Sequence, residues 1–412
     1  MEIMTPRCCG IDVHKSTLTA CLLITSPDSK TSKTIKTFST MTADLLALKD
    51  WLESNECTHV AIESTGVYWK PVFNILEGSL HTILANARDI KNVPGRKTDV
   101  KDCEWIADLL RFGLIKASFI PPKPIRELRD LTRYRTKLGQ EVTAEKNRVQ
   151  KVLEDANIKL SSVATDIFGV SGKEMIKALL EGDATPEEIA DLARGKLRKK
   201  IPELIEALKG NVCERHRFLI GISLRHLESL AELVADLDER IDKAMEPYQL
   251  QGTLLTTITG VDKKSAESII AEIGVDMSQF PTAAHLASWA GICPGNNESA
   301  GKRRSGKINK GDSWLRRILI QVALAAAKTR NTYLKDKYHR IAARRGKKRA
   351  AVAIGHKILV SAYYVIKRNV TYQELGESYL DTLNKEFIQK RLIKRLQELG
   401  NKVIVEPVLQ TA

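Results

Sequence analysis

Asp12 is the first residue of the chain whose type and position could support catalysis. It lies in the segment Arg-Cys-Cys-Gly-Ile-Asp-Val-His-Lys at residues 7–15, which predicts a buried strand. A carboxylate inside a core strand costs several kcal/mol unless its charge is compensated. A divalent cation is one such compensation, because hard cations take carboxylate oxygens as ligands. A structural or capping role is the alternative, and the choice depends on whether other carboxylates reach the same place.

Three further acids could join Asp12. One ends a later predicted strand, and the other two lie at the start of a predicted helix further along the chain. Glu63 ends the apolar run at 59–62, and Asp99 and Asp102 lie in a segment that predicts a helix starting near Asp99. Their spacing of three residues puts Asp99 and Asp102 on neighbouring positions of one helix face. Acids early in a helix also complement its dipole, so this pair fits ordinary helix stabilisation as well as a metal site.

Positive charge is concentrated in one late segment. The chain has 412 residues and a formal net charge of +15, and residues 302–349 contain 17 Lys and Arg against two acids. This segment therefore accounts for the whole excess, which indicates a polyanionic partner such as nucleic acid. Tyr333, Tyr338 and His339 are interleaved with the basic residues and could stack on bases or lie against sugars.

A serine-containing segment leads into this basic region. Residues 294–311 are rich in Gly, Asn, Ser and Lys and predict a loop, in which Ser299 stands beside Gly301 and the cations at 302–304. Such a loop could present a hydroxyl to a phosphodiester, or it could simply bind phosphates through its cations. Ser305 has a similar Ser-Gly setting and is a second candidate for the same role.

Residues 253–275 predict a helix-hairpin-helix-like unit. A short helix is followed by a turn at Gly260 and by a second helix from Lys263. Turn amides and a helix N-terminus can bind a backbone phosphate. Any pair of helices joined by a short turn would show the same pattern, so the phosphate-binding interpretation stays open.

The first 120 residues alternate strands with helices. Three successive strands joined by short turns indicate an antiparallel meander, and later helical crossovers indicate parallel strands added to the same sheet. This is the order of a ribonuclease-H-like domain, although other mixed α/β sheets share parts of it. The predicted strands are 7–13, 17–25, 34–39, 59–62 and 81–86, and the predicted helices are 43–53, 68–77 and the one from Asp99.

Two long helices are predicted in the middle of the chain. Residues 125–160 and 220–244 carry apolar side chains alternately three and four apart, which is typical of an antiparallel coiled-coil arm and suggests a dimer contact. Arg135 and Glu145 interrupt the apolar seam of the first helix. The insert between the two long helices predicts short helices that open at Pro186 and Pro202.

Composition argues against several classes of protein. The sequence has no run of about 18 apolar residues and no signal-peptide pattern, so we expect a cytoplasmic protein without a membrane span. The seven cysteines are odd in number and lack CxxC or Cys/His ligand spacing. This usage predicts a reducing compartment and no zinc site.

Four blocks of sequence, in this order and spacing, resemble one family. They are Gly-Ile-Asp-Val-His-Lys at 10–15, Ile-Glu-Ser-Thr-Gly at 62–66, Lys-Thr-Asp-Val-Lys-Asp at 97–102, and Trp-Ala-Gly-Ile-Cys-Pro at 289–294 with Glu-Ser-Ala-Gly-Lys at 298–302. The chain resembles the DEDD insertion-sequence transposases of the "IS one-ten" type, the bridge recombinases.

The resemblance implies an α/β plus all-α architecture in three domains and a tail. A RuvC-like, ribonuclease-H-like catalytic domain would occupy residues 1–122, and a coiled-coil arm with its helical insert 123–250. A helical transposase domain that holds the serine and the basic segment would occupy 251–370. The role of the helical tail at 371–412 is not readable from its sequence.

The resemblance also implies an active site and partners. Asp12, Glu63, Asp99 and Asp102 would hold two Mg²⁺ ions, and Ser299 would be the nucleophile that forms a covalent phosphoserine link to DNA. The site would be composite, formed between subunits of a homodimer that pairs into a tetramer on donor and target DNA, and a structured bridge RNA would select both DNAs. The residues that we expect to contact nucleic acid are Gly260, Lys263, Lys264, Lys302, Arg303, Arg304, Lys307, Lys310, Arg316 and Arg317.

Two other functions use parts of the same residues. A metal-dependent junction-resolving nuclease would need the carboxylates and would attack with water, without Ser299. A non-enzymatic nucleic-acid scaffold would need only the arm and the basic segment, and its binding would survive loss of Asp12 and Glu63.

Overall fold

The computed structural model describes residues 2–28, 30–64, 66–85, 102–294, 297–299, 301–305, 308–309, 311–383 and 385–405, with the backbone alone for 297–299 and 302–305. The chain forms two compact units, Met1–Ile120 and Pro121–Ala412. In the described residues the first unit is α/β and the second is almost entirely helical. This confirms the expected combination of an α/β amino-terminal region with a helical carboxy-terminal region.

Strands of the first unit form one mixed sheet. In the described residues they are β1 (Arg7–Val13), β2 (Thr17–Thr25), β3 (Thr31–Ser39), β4 (His59–Glu63) and β5 (His81–Ala85), in the order β3-β2-β1-β4-β5. The first three strands pair antiparallel, and β4 and β5 are added in parallel. The predicted meander with parallel additions is therefore confirmed.

The edge strand β3 begins earlier than its sequence predicts. Its pairing with β2 extends through Ser32 and Thr31, which face Ile24 and Thr25, instead of starting near residue 34. The added residues are polar and exposed, as an outer strand allows. They therefore lack the apolar alternation from which a strand is recognised in sequence.

Helices cover both faces of this sheet. They are α1 (Thr42–Ser54), α2 (Trp69–Leu76) and α3 (Asp102–Arg111). Because successive strand residues point to opposite faces, Cys9 and Ile11 join the core beneath α1 and α2, whereas Cys8 packs with residues of α3.

Gly10 is the point at which α3 lies closest to β1. A Cβ atom placed on Gly10 would lie 2.2 Å from the carbonyl oxygen of Cys103 and 2.4 Å from the backbone nitrogen of Ala107. Only a glycine therefore allows the helix backbone to lie this close to the strand. Elsewhere along the same contact, the Thr5 hydroxyl donates to the Leu110 carbonyl oxygen at 3.0 Å.

The second unit starts with two long helices separated by a helical insert. The long helices pack against each other, and residues of the insert form a separate apolar core with their ends. In chain order the helices are α4 (Lys123–Asp155), α5 (Leu160–Val163), α6 (Val170–Glu181), α7 (Pro186–Asp191), α8 (Ile201–Leu208) and α9 (Glu214–Met245).

The two long helices run antiparallel. Arg135 of α4 donates to Asp238 of α9 at 2.9 Å, and Glu145, further along α4, lies 3.4 Å from His226, earlier in α9. Both residues that interrupt the apolar seam of α4 are thus paired with side chains of α9. Buried polar pairs of this kind fix the register of two helices, because sliding would leave charges unpaired.

The first long helix ends earlier than predicted, and the insert begins there. Helix α4 stops at Asp155, and Asn157 has a positive φ of 56°, a conformation that ends a helix. Asn is among the few non-glycine residues that adopt this conformation readily. Pro186 and Pro202 lie in the first turns of α7 and α8, as predicted.

The remainder of the second unit is a group of shorter helices with one hairpin. In the described residues these elements are α10 (Gln249–Thr256), α11 (Lys263–Ile273), α12 (Ala283–Trp289), β6 (Asn297–Ser299), β7 (Lys302–Ser305), α13 (Ser313–Ala326), α14 (Tyr333–Arg345), α15 (Lys347–Arg368), α16 (Tyr379–Leu383) and α17 (Lys385–Glu398).

Helix α15 is the central helix of this group. It packs against α12, α13 and α14, and Ile354, Ile358 and Tyr363 are almost fully buried. Among the described residues it is the one helix with the length and apolar composition of a membrane span. However, 56% of its most apolar window is buried inside the protein, as expected for a core helix.

A buried ion pair connects α4 to the helices of this group. Arg133 donates to both carboxylate oxygens of Glu272, at 2.7 and 2.8 Å, and also to Asp312 at 3.1 Å. The Glu272 side chain is 1% exposed. Burial raises the pKa of Glu272 despite the hydrogen bonds from Arg133 and the nearby charge of Arg129, so the carboxylate depends on these two partners to stay ionised.

Replacing Gly10 tests the strand–helix contact of the first unit. We expect Gly10→Ala to lower the free energy of unfolding by about 1–3 kcal/mol, because its Cβ would overlap the α3 backbone. Gly139→Ala is the control: among the described residues nothing lies within 4 Å of its added Cβ, and alanine favours helix by up to about 1 kcal/mol. Urea unfolding measures both variants, and equal stabilities would contradict the contact.

Replacing Arg133 tests the buried ion pair of the second unit. We expect Arg133→Met to cost about 1.5–3 kcal/mol at pH 7, because the buried Glu272 would lose two charged hydrogen bonds and keep only Arg129, 3.2 Å away, as a partner. A carboxyl whose pKa is raised in the folded state takes up a proton there first, so the variant's loss should shrink as the pH falls below 7.

The control for this variant is an exposed ion pair. Lys243→Met removes the pairing with Glu239, whose side chain is 69% exposed, and should change stability by less than about 1 kcal/mol. Urea unfolding between pH 5 and pH 8 measures both variants. A pH-independent loss in Arg133→Met would show that Glu272 does not carry the effect.

Candidate active site and nucleic-acid interface

Asp12 and Glu63 lie side by side at the carboxyl ends of two parallel strands. In the pairing of β1 with β4, Ile11 stands opposite Ile62, and the two acids are the next residue on each strand. Neighbouring strands are about 4.8 Å apart, and residues in step point to the same face of the sheet. The fold therefore brings these two carboxylates, far apart in sequence, to one edge of one face.

Asp102 is placed at the same edge by the direction of α3. Thr5 contacts Leu110 and Gly10 contacts Cys103, so α3 runs opposite to β1 and its first residue, Asp102, lies towards the Asp12 end. Burial raises the pKa of the Cys103 thiol, and the Asp12 carboxylate adds to the increase, as expected for a nearby negative charge.

These acids fit a hard divalent cation by chemistry, but the described residues alone do not complete a site. Carboxylate oxygens are the ligands that Mg²⁺ prefers. In the described ranges, however, no three His, Cys, Asp or Glu side chains are arranged to hold a metal ion. Asp99, the fourth expected ligand, lies outside the described residues, so its position stays a prediction.

His14 is a neighbour of Asp12 that the sequence did not single out. Its Nε2 lies 3.3 Å from Oδ2 of Asp12, and its side chain is 70% exposed. The sequence contained a signal for this contact. His14 follows Asp12 by two residues, and residues two apart in an extended chain point to the same side. His14 can therefore donate a hydrogen bond to the Asp12 carboxylate and orient it.

Ser299 lies in a β-hairpin, where the sequence predicts only a loop. It ends β6 and stands opposite Lys302, the first residue of β7, and Gly301 in the connection has a φ of +71°. Glycine adopts this conformation without strain, so Gly301 allows a tight hairpin turn. The polar composition of the segment predicted a loop instead of two paired strands. Ser305 lies at the other end of the hairpin, opposite Asn297.

The expected phosphate-binding cations of this segment are only partly within the described residues. Lys302, Arg303 and Arg304 form most of β7, and their side chains lie outside the described part, as do Lys307 and Lys310. Ser299 and these cations belong to the second unit, whereas the carboxylates belong to the first.

Arg316 and Arg317 lie near the start of helix α13. Arg316 donates to the Asn309 carbonyl oxygen at 3.4 Å. The guanidinium of Arg317 lies 5.2 Å from the ring centre of Trp314, whose ring is also 5.4 Å from the Arg133 guanidinium. Stacking on an aromatic ring holds an arginine in place without using its hydrogen-bond donors, so Arg317 can still bind an anion.

The turn before α11 is tightly packed. Gly260 has a φ of +89°, and an added Cβ would lie 2.7 Å from backbone atoms of Val322 and Ala326 in α13. Asp262 caps α11 by accepting a hydrogen bond from the Ser265 N–H at 2.9 Å. The turn is therefore packed against α13, and the cap occupies a backbone N–H of the helix N-terminus, where the sequence suggested that a phosphate could bind.

Both expected lysines of this turn are paired with helix α9. Lys263 lies 2.6 Å from Asp242, and Lys264 lies 2.7 Å from Asp238. A phosphate at either lysine would therefore compete with a carboxylate. Their assignment to nucleic-acid binding stays a prediction.

A groove in the second unit is lined by two of the residues that we expect to contact nucleic acid. It has a volume of about 790 Å³ and lies between α4, α11 and α13. Lys264 and Arg317 line it together with the amides Gln140, Asn147 and Gln321. Cations and amides in an open groove suit a phosphodiester backbone with its sugars.

Comparison with known proteins gives the relatives of the chain. Residues 9–158 match the family model of IS110 DEDD transposases, described as "Transposase", and residues 252–339 match "Transposase IS116/IS110/IS902 family". The "Insertion element IS110 uncharacterized 43.6 kDa protein" of Streptomyces coelicolor is 26% identical over 264 residues, which cover 59% of this chain and 64% of that protein.

Two further relatives are smaller matches. The "Pilin gene-inverting protein" of Moraxella lacunata is 32% identical over 36% of this chain and 46% of its own length. The protein of the same name from Moraxella bovis is 32% identical over 29% of this chain and 38% of its own length. The chain thus matches less than two thirds of the length of each relative. The two family models describe the same transposases and together match more than half of the chain, at residues 9–158 and 252–339, so the chain belongs to the IS110 family.

Proposed function

We propose that this chain is an insertion-sequence transposase that cuts and exchanges DNA strands. Asp12, Glu63, Asp99 and Asp102 would hold two Mg²⁺ ions, and Ser299 would be the nucleophile. The observation that carries the proposal is the placement of Asp12 and Glu63 in step on β1 and β4, on one face of the sheet. The "gene-inverting" and "insertion element" names of the relatives agree with it.

The cofactor assignment rests on the donor set. Two Mg²⁺ about 4 Å apart supply charge neutralisation and Lewis-acid polarisation of a phosphodiester. Carboxylates from a strand pair and a helix start are suited to hold them, and the ions would compensate the half-buried charge of Asp12. His14 would keep the Asp12 carboxylate in orientation.

The covalent step belongs to the second unit. Ser299 Oγ would lose its proton and form a bond to phosphorus while one P–O bond to a deoxyribose oxygen breaks. That oxygen leaves with the electron pair and takes up a proton, so the number of protons is unchanged. Serine needs activation for this attack because its pKa is high. Lys302, Arg303 and Arg304, which follow Ser299 in the hairpin, would stabilise the negative charge on the phosphate.

The site would be composite, formed between subunits, as the family resemblance implies. Assembly on DNA, within a homodimer or a tetramer of two paired dimers, would bring the hairpin of one subunit to the carboxylates of another. The antiparallel pair of α4 and α9 would act as the coiled-coil arm of that assembly, and the first unit as a RuvC-like domain.

Guidance by a structured bridge RNA completes the proposal. Base pairing would select donor and target DNA, and the protein would contact backbones and shape. The basic segment at 302–349 and the groove lined by Arg317 and amide side chains suit this kind of contact.

A junction-resolving nuclease is the second candidate. All of the expected metal ligands lie in the first unit, and Ser299 lies in the second, so water could replace the serine without changing the carboxylate arrangement. This enzyme would cleave DNA without a covalent protein–DNA intermediate.

Removing a single carboxylate tests the metal site. We expect Asp12→Asn and Glu63→Gln each to reduce strand cleavage by about a thousandfold or more, because paired ions are needed for the chemistry. Binding of DNA should change little, since it depends on the cations. Asp28→Asn, an exposed acid of the first unit, is the control and should keep full activity. Wild-type cleavage by Asp12→Asn would remove the mechanism.

Substitution of the two hairpin serines tests the nucleophile. After denaturation of a reaction on nicked DNA, wild-type protein should carry a covalently attached strand, detected by gel mobility. Ser299→Ala should abolish this adduct, and the matched variant Ser305→Ala should retain it. Loss in Ser305→Ala alone would transfer the role to Ser305. Cleavage without any adduct in the wild type would identify the water-using nuclease.

A further inference from the structure

A cysteine, a histidine and an aspartate meet where the long helices join the insert. Asp155 is the last residue of α4, Cys213 is the N-cap of α9, and His216 lies in the first turn of α9. Cys213 Sγ lies 3.3 Å from Nδ1 of His216, and Nε2 of His216 lies 3.0 Å from Oδ2 of Asp155. A thiol, an imidazole and a carboxylate connected in series generate a nucleophilic thiolate in enzymes.

Hydrogen bonds determine which nitrogen of His216 can accept a proton. The backbone N–H of Cys213 donates to Nδ1 at 3.2 Å, so Nδ1 carries the lone pair and Nε2 carries the hydrogen that faces Asp155. The His216 ring is buried, with 6% exposure, and Asp155 fixes its orientation. Asp155 also stabilises the imidazolium that forms when Nδ1 takes the thiol proton.

The start of α9 stabilises the thiolate of Cys213. A helix N-terminus presents free N–H groups and favours negative charge. Hydrogen bonds from the backbone N–H of His216 and of Arg215 hold the pKa of the Cys213 thiol below its usual value, and the Arg215 side chain adds to this effect. Arg215 also donates to Asp155 at 2.6 Å, which keeps the cluster together.

Cys213 differs in this respect from the other cysteines. The structure describes all seven, and Cys213 is the exposed one. Cys8 and Cys57 illustrate the rest: burial raises the pKa of the Cys8 thiol to about 11 and that of Cys57 to about 12. Cys293 is half-buried, and burial raises its pKa as well. Reaction with an external electrophile is therefore directed to Cys213.

We propose that Cys213, His216 and Asp155 form a reactive-thiol site for low-molecular-weight disulfides. Nδ1 of His216 takes the Sγ proton, and the thiolate attacks one sulfur of the disulfide. A new S–S bond forms while the old one breaks, and the departing sulfur leaves as a thiolate with the electron pair. Cys213 is thereby oxidised to a mixed disulfide and half of the disulfide is reduced, so no other oxidant is needed. This site is independent of strand exchange.

The experiment is a thiol titration of the native, full-length chain with dithiobis(nitrobenzoate), an aromatic disulfide. We expect one equivalent to react roughly tenfold faster than any other, with a rate–pH midpoint below that of an ordinary cysteine. Cys213→Ser should remove this fast equivalent, and the matched variant Cys293→Ser should keep it. Persistence of the fast equivalent in Cys213→Ser would overturn the proposal, as would an ordinary midpoint in the wild type.

Two further variants test the positioning residues. Asp155→Asn and His216→Asn should slow the fast equivalent and move its midpoint to higher pH, whereas a purely helix-capping role would leave the midpoint unchanged. The number of equivalents reports folding in the same measurement, because an unfolded chain would expose all seven cysteines. If these two variants unfold, the wild type and the two cysteine variants still decide whether Cys213 is the reactive thiol.

Discussion

The first unit depends on how closely helix α3 approaches strand β1. A side chain at Gly10 would overlap backbone atoms of Cys103 and Ala107, so the distance between helix and strand is set by backbone contact. This contact fixes the direction and height of α3 over the sheet. The parallel register of β1 with β4 then fixes Asp12 beside Glu63. The close approach at Gly10 and the register of β1 with β4 together determine the positions of Asp12, Glu63 and Asp102.

Many charged side chains of the second unit form ion pairs within the unit, which its net charge does not reveal. Arg135 interrupts the apolar seam of α4, yet it pairs with the buried Glu267 of α11, and Arg133 pairs with the buried Glu272 of the same helix. Lys264 is likewise paired with α9. Because these cations are already compensated, the electrostatic attraction for nucleic acid depends more on the segment 302–349, where the excess charge lies.

Apolar periodicity and turn spacing were enough to predict most elements of the chain. The strands around Asp12 and Glu63, their pairing, and the two long helices all carry such signals. The failures have local causes: β3 is polar along its outer part, α4 ends at Asp155 before the left-handed residue Asn157, and the hairpin of Ser299 has a loop-like composition. The ion pairs of Arg135, Glu145 and Lys264 with side chains of other helices could not be predicted, because no local sequence pattern encodes tertiary contacts. The role of Asp99, and of the loop cations outside the described residues, rests on sequence alone.

The central claim is that the acids of the first unit gather around two metal ions. Electron paramagnetic resonance of the full-length protein with Mn²⁺ in place of Mg²⁺, on DNA, tests it directly. The account predicts two bound ions per active site with the spin coupling of a pair about 4 Å apart, lost in Glu63→Gln. Ions that bind singly and uncoupled, or coupling that survives that substitution, would contradict the account.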